Sequence, residues 1–100
     1  MRRRLAIILI ALLLPSAARA AGDAGHGRTV AQTWCTACHA IGRETQAADA
    51  APAFATLAKG RTPEQLRNWL SAPHPPMPNP GLSRQAIEDV IAYLQQLKAQ

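Results

Sequence analysis

The clearest regularity in the chain lies near its C-terminal end, where Ile87, Val90, Ile91, Leu94 and Leu97 recur every three or four residues. That spacing lays one apolar stripe along a helix. Ser83 stands at the capping position before it, and Leu82 and Ile87 occupy the two places of a hydrophobic staple, so a helix is predicted from just after Ser83 to the end of the chain. Another is predicted from about Pro63 to Ser71. Thr62 can cap it, Pro63 suits the first helical position, and Gln65 is the third-residue partner of a capping box. Upstream, a helix from about Gly25 to Cys38 and a short helical turn between Pro52 and Gly60 complete the pattern. No run of alternating β-branched residues announces a strand, and there is no internal repeat. Between the last two helices, APHPPMPNPG holds five prolines in ten residues, too stiff and too poor in N–H donors for regular structure. The fold class is all-α: three to four helices joined by Pro- and Gly-rich loops.

One apolar stretch stands outside this plan. Leu5 to Leu14 is an unbroken run of ten, preceded by Arg2, Arg3 and Arg4 and followed by Ala18-Arg19-Ala20, which has the form of an A-x-A cleavage site. Together these read as an export signal over residues 1–20, cleaved to leave a single domain at 21–100 in the periplasm. Ten residues of helix would cover about half of a bilayer core that needs roughly 20, and Pro15 and Ser16 close the run, so a retained membrane anchor is the weaker reading. The tandem arginines hint at a twin-arginine signal without the rest of that pattern. Removing the signal also changes the electrostatics. The whole chain carries 11 basic and 6 acidic residues, but four arginines lie in the first twenty, which leaves seven basic against six acidic. The high overall charge is thus mostly a property of the signal, and it argues for neither a nucleic-acid partner nor an anionic membrane surface.

An 80-residue remainder is marginal on its own hydrophobic core and commonly needs a disulfide, metal or cofactor to support it. Both cysteines lie in WCTACH, residues 34–39, and a disulfide between positions three apart would close too small a loop to stabilise much. A thioredoxin-like redox pair would need a strand leading into the cysteines and a sheet behind them, and GHGRTVAQT reads as helix. Zinc would need a fourth ligand beyond Cys35, Cys38 and His39, and neither His26 nor His74 supplies a second pair at finger-like spacing. Covalent haem attachment uses every residue of the motif. Cys35 and Cys38 are three apart and His39 is four from Cys35, so one helical turn presents two thiols for the porphyrin vinyl groups and an imidazole for the iron.

A six-coordinate haem needs a distal ligand, usually Met or His. Met1 belongs to the signal, so Met77 is the only methionine of the mature chain. It lies 38 residues after His39, flanked by Pro76 and Pro78, and its soft thioether suits a haem iron working at high potential. His74 is the competing candidate. His26 is read as a surface residue preceding the first helix.

With these residues in hand the chain resembles the small bacterial members of class I cytochrome c, over nearly all of Gly27 to Leu97. The likeness rests on CTACH, on Pro52 with Phe54, on WLSAP before PPMP, and on IAYL in the last helix. It implies a cytochrome c fold around one haem c, covalently attached through Cys35 and Cys38, with His39 and Met77 as axial ligands. It further implies that Pro52 offers its carbonyl to the His39 Nδ1, that Phe54, Leu66 and Leu70 line the haem, and that Trp69 is the aromatic beside the methionine. Gly27 and Tyr93 match the crossing of the first and last helices. Ala31 departs from the pattern, standing where an aromatic is usual, and Trp34 is expected to compensate.

The implied function is one-electron transfer between redox proteins, with a membrane oxidase, a bc1-type complex or a periplasmic dehydrogenase as the partners the resemblance offers. No enzyme activity, nucleic-acid partner or stable membrane insertion after cleavage is expected. Docking is expected through an apolar rim including Ala37, Pro76 and Pro78, with weak salt dependence. Two alternatives stay open: a cytochrome subunit fixed to a periplasmic dehydrogenase, and a ligand-binding or peroxidatic haem protein in which Met77 is labile.

Overall fold

The computed structural model describes residues 22–43 and 51–100; the expected signal at residues 1–20 lies outside the described residues. Four helices follow one another: α1 (Ala24–Trp34), α2 (Phe54–Gly60), α3 (Pro63–Ser71) and α4 (Arg84–Lys98), with no strand among the described residues. The all-α expectation holds.

Helix α4 is the spine. Each of α1, α2 and α3 packs against it, because its stripe of Ile87, Val90, Ile91, Leu94 and Leu97 is buried along the whole length. Its start is fixed as the sequence predicts: the Ala86 N–H donates to the Ser83 hydroxyl at 3.1 Å, and Leu82 and Ile87 both join the core. Helix α3 begins on a reciprocal capping box, in which the Gln65 N–H donates to Thr62 Oγ1 and the Thr62 N–H donates to Gln65 Oε1. The core itself is made by Val30 and Ala31 of α1, Phe54 and Ala58 of α2 and Leu66 of α3 closing on the α4 stripe. A fully buried side chain of this kind contributes about 1.5–3 kcal/mol.

The crossing of α1 over α4 depends on the absence of a side chain. A methyl built on Gly27 would lie 1.9 Å from the carbonyl oxygen of Asp89, so only glycine lets the two backbones come this close. Ala31, one turn on, is completely buried. The N-terminus of α1 is tied down at the same place: the Asp23 N–H donates to Asp89 Oδ1 at 2.8 Å, while His26 Nδ1 lies 2.5 Å from Oδ2. The Gln85 amide completes the set at 2.9 Å. Asp89 is therefore buried but fully partnered.

Three expectations are corrected here. Helix α1 stops at Trp34 rather than Cys38, giving way to turns in which the Thr36 hydroxyl donates to the Gln32 carbonyl, a bond that competes with the helical ladder. His26 does not precede the first helix but sits in its first turn, held by Asp89. Trp34 does not compensate for Ala31: it is 61% exposed. Alanine lets α1 and α4 pack closely enough that there is no gap for an indole to fill, and the last helical residue faces away from the crossing.

Candidate cofactor site

The chain leaving α1 keeps one turn of helical spacing beyond Trp34, because the His39 N–H donates to the Cys35 carbonyl at 2.9 Å and the Cys38 N–H donates to the same oxygen at 3.2 Å. Cys35 and Cys38 are free thiols, both half-buried. Burial pushes the Cys35 thiol pKa above its ordinary value, so the group is neutral at neutral pH.

His39 is fixed from three sides. Its Nδ1 lies 2.6 Å from the Pro52 carbonyl oxygen, and since a carbonyl only accepts, Nδ1 carries the hydrogen, which in a neutral imidazole leaves Nε2 as the nitrogen with the lone pair. The Phe54 N–H donates to the Ala40 carbonyl at 2.9 Å, closing a second bond between the same two segments. Phe54 then sets its ring edge-on to His39, with centroids 5.3 Å apart, and is backed by Tyr93 at 6.4 Å. Tyr93 in turn donates its hydroxyl to the Ile41 carbonyl at 2.6 Å, which ties the segment after His39 to α4.

A cavity of about 370 Å³ opens beside this imidazole. Cys35, His39, Pro52 and Met77 lie on it, and Phe54, Leu66, Trp69 and Leu70 form much of its wall. A second cavity of about 180 Å³ shares Cys35, His39, Leu70 and Met77 with the first and adds Cys38, Trp34, Pro76 and Pro78. All nine candidate residues therefore border one or other of two neighbouring cavities that have Cys35, His39, Leu70 and Met77 in common. Met77 is not loose in its loop, for the Trp69 indole Nε1–H donates to its sulfur at 2.9 Å. His74 borders neither cavity; it packs edge-on against Trp69. Among the described residues, no three His, Cys, Asp or Glu side chains come together in the arrangement that would hold a metal ion by themselves.

Sequence reasoning missed Leu57, Arg61, Gln65, Val90 and Leu94 in the wall. Val90 and Leu94 carried a signal, since they belong to the α4 stripe, but periodicity alone does not say which buried positions face a cofactor. Arg61 carried none. The donor set and the wall suit haem c: two thiols, an imidazole with a free nitrogen, a thioether and an apolar surround. Arg61 also stands at the cavity wall, where it would offer a cation to the carboxylates of a bound haem.

The cytochrome c family model matches residues 24–98. The chain belongs to the cytochrome c family. This cytochrome is 37% identical over 95 residues to cytochrome c-552 of Bradyrhizobium diazoefficiens, a match that spans 91% of the present chain and 90% of that one. No solved structure matches it. As a family member the protein is a haem electron carrier with covalently bound haem c, working with redox partner proteins. No helix among the described residues is long and apolar enough to cross a membrane.

Proposed function

We propose that this cytochrome is exported, loses residues 1–20, and shuttles single electrons between redox proteins of the periplasm through one haem c. Cys35 and Cys38 would hold it through two thioether bonds, and His39 and Met77 would be the side chains that bind its iron. The observation that carries this reading is the clamp on His39, whose Nδ1 is committed to the Pro52 carbonyl so that Nε2 is held ready for a metal on the wall of a cavity it shares with Met77.

When bound, the haem supplies an iron that alternates between ferric and ferrous states. The chain's residues do the rest. Phe54, Leu66, Trp69 and Leu70 exclude water from the cleft, the Pro52 carbonyl holds the imidazole proton, and Arg61 offers a cation to the carboxylates. With His39 and Met77 both offered to the iron, the chain would leave no position for a substrate there, which supports a carrier rather than an enzyme. Pro76 and Pro78 border the cleft and are exposed, as is Ala37 beside Cys38. Docking on this uncharged rim would make association weakly salt-dependent. A membrane oxidase, a bc1-type complex and a periplasmic dehydrogenase are the partner classes that fit.

The test is the mass of exported protein after denaturation, taken with its visible spectrum. The expected product begins at Ala21 and retains one haem, and substitution of both Cys35 and Cys38 by Ala abolishes retention. Haem that acid and organic solvent strip from the wild type would refute the attachment, and a mass that includes residues 1–20 would refute cleavage.

A further inference from the structure

We infer that Trp69 and His74 act as a two-ring support that sets the donor strength of the Met77 thioether. The inference rests on the reading of Met77 as a ligand. A thioether sulfur has two lone pairs, so one can face a metal while the other accepts a hydrogen bond. The loop around Met77 is poorly equipped to supply that bond, since Pro76 and Pro78 have no N–H. Helix α3 supplies it instead, through the Trp69 Nε1–H at 2.9 Å from the sulfur.

The indole is held in place at both ends. On its helix, Leu66 is buried one turn earlier and the Thr62–Gln65 capping box fixes the start, so the backbone beneath Trp69 is firmly set. The ring is still 39% exposed on its open side. His74 covers part of that side, with ring centroids 4.0 Å apart at 73°. The His74 ring is itself oriented: its Nδ1 lies 3.1 Å from the Pro75 carbonyl oxygen and must be the donor. One loop thus contributes both the sulfur and the ring that aims the indole at it. His74 is a positioning residue, not a spare ligand.

A hydrogen bond to the sulfur withdraws electron density from it, which disfavours ferric more than ferrous iron and raises the reduction potential. The experiment uses the haem-loaded protein and reads the ferrous-to-ferric ratio against a redox mediator. Trp69→Phe keeps the ring and loses the donor, and it should lower that ratio about two- to ten-fold, the scale of one net hydrogen bond. His74→Ala should shift the ratio in the same direction by less, His74→Phe should restore it, and Trp69→Phe with His74→Ala should go no further than Trp69→Phe alone. Wild-type protein gives a check that needs no variant. The iron–sulfur stretch in its resonance Raman spectrum should shift when the indole N–H is exchanged in heavy water.

An unchanged ratio in Trp69→Phe, or a stretch insensitive to heavy water, overturns the inference. A His74→Ala shift that His74→Phe does not restore overturns the role of His74. Should His74→Ala open the iron to carbon monoxide while Met77→Ala does not, the ligand assignment itself is what has failed.

Discussion

Replacing Gly27 by Ala puts the geometry of the α1–α4 crossing to a direct test. The added methyl would meet the Asp89 carbonyl oxygen at 1.9 Å, its carbon at 2.4 Å and the Val90 nitrogen at 2.9 Å, all backbone atoms that cannot rotate away. Ordinary contact begins at 3.4 Å, so going from 1.9 Å to 3.4 Å requires the helices to part by about 1.5 Å. A gap of even 0.5–1 Å forfeits about a quarter to a half of each dispersion contact across it. The contacts at risk are those of Val30 and Ala31 with the α4 stripe. Overpacking of this kind costs about 3 kcal/mol at the upper end of its usual range, and the helix-forming gain of Ala over Gly offsets about 1. We therefore expect Gly27→Ala to destabilise the haem-loaded protein by about 2 kcal/mol or more. Guanidinium unfolding followed by far-ultraviolet circular dichroism measures it, with Gly60→Ala as the control, since nothing lies within 4 Å of a methyl there. A Gly27→Ala midpoint no lower than that of the control would refute the close crossing.

The remaining expectations concern the buried acid, the α3 cap and the empty chain. The Asp23 N–H, then the Gln85 amide and His26, hold the Asp89 carboxyl below its ordinary pKa. The folded state therefore binds that proton less readily than the unfolded one, so the stabilisation is complete above about pH 4 and is lost as pH falls through the lowered value. Asp89→Asn should be less stable than wild type at pH 7 in urea, with the difference shrinking toward pH 3; a constant difference would contradict the linkage. Thr62→Ala removes one half of the capping box and should cost about 1 kcal/mol in the same assay. Without haem the chain should show no sharp thermal transition, because α1, α2 and α3 each rest on α4 rather than packing on one another, and α2 and α3 face an open cavity.

Local signals made α3 and α4 legible almost to the residue. Thr62, Pro63 and Gln65 are neighbours in sequence, as are Leu82, Ser83 and Ile87, and each set acts on its own helix end. The cysteine–histidine turn was legible for the same reason. What escaped the sequence was long-range. Asp89 looked like one acid among others on an amphipathic helix, yet it is buried by His26, 63 residues away, and by the Asp23 backbone. Trp34 was misread because the expected aromatic at the crossing assumed a gap that Ala31 and Gly27 together remove. The Trp69-to-Met77 bond joins a helix to a proline-rich loop whose path no pattern of apolar residues encodes.

The assignment of His39 and Met77 to the two sides of the iron is tested most directly by the rate at which carbon monoxide binds the ferrous protein. In the wild type binding should be slow, limited by loss of the Met77 sulfur, and Met77→Ala should make it faster by orders of magnitude while His74→Ala leaves it slow. Rapid binding to the wild type, or a Met77→Ala rate equal to the wild-type rate, would contradict the account.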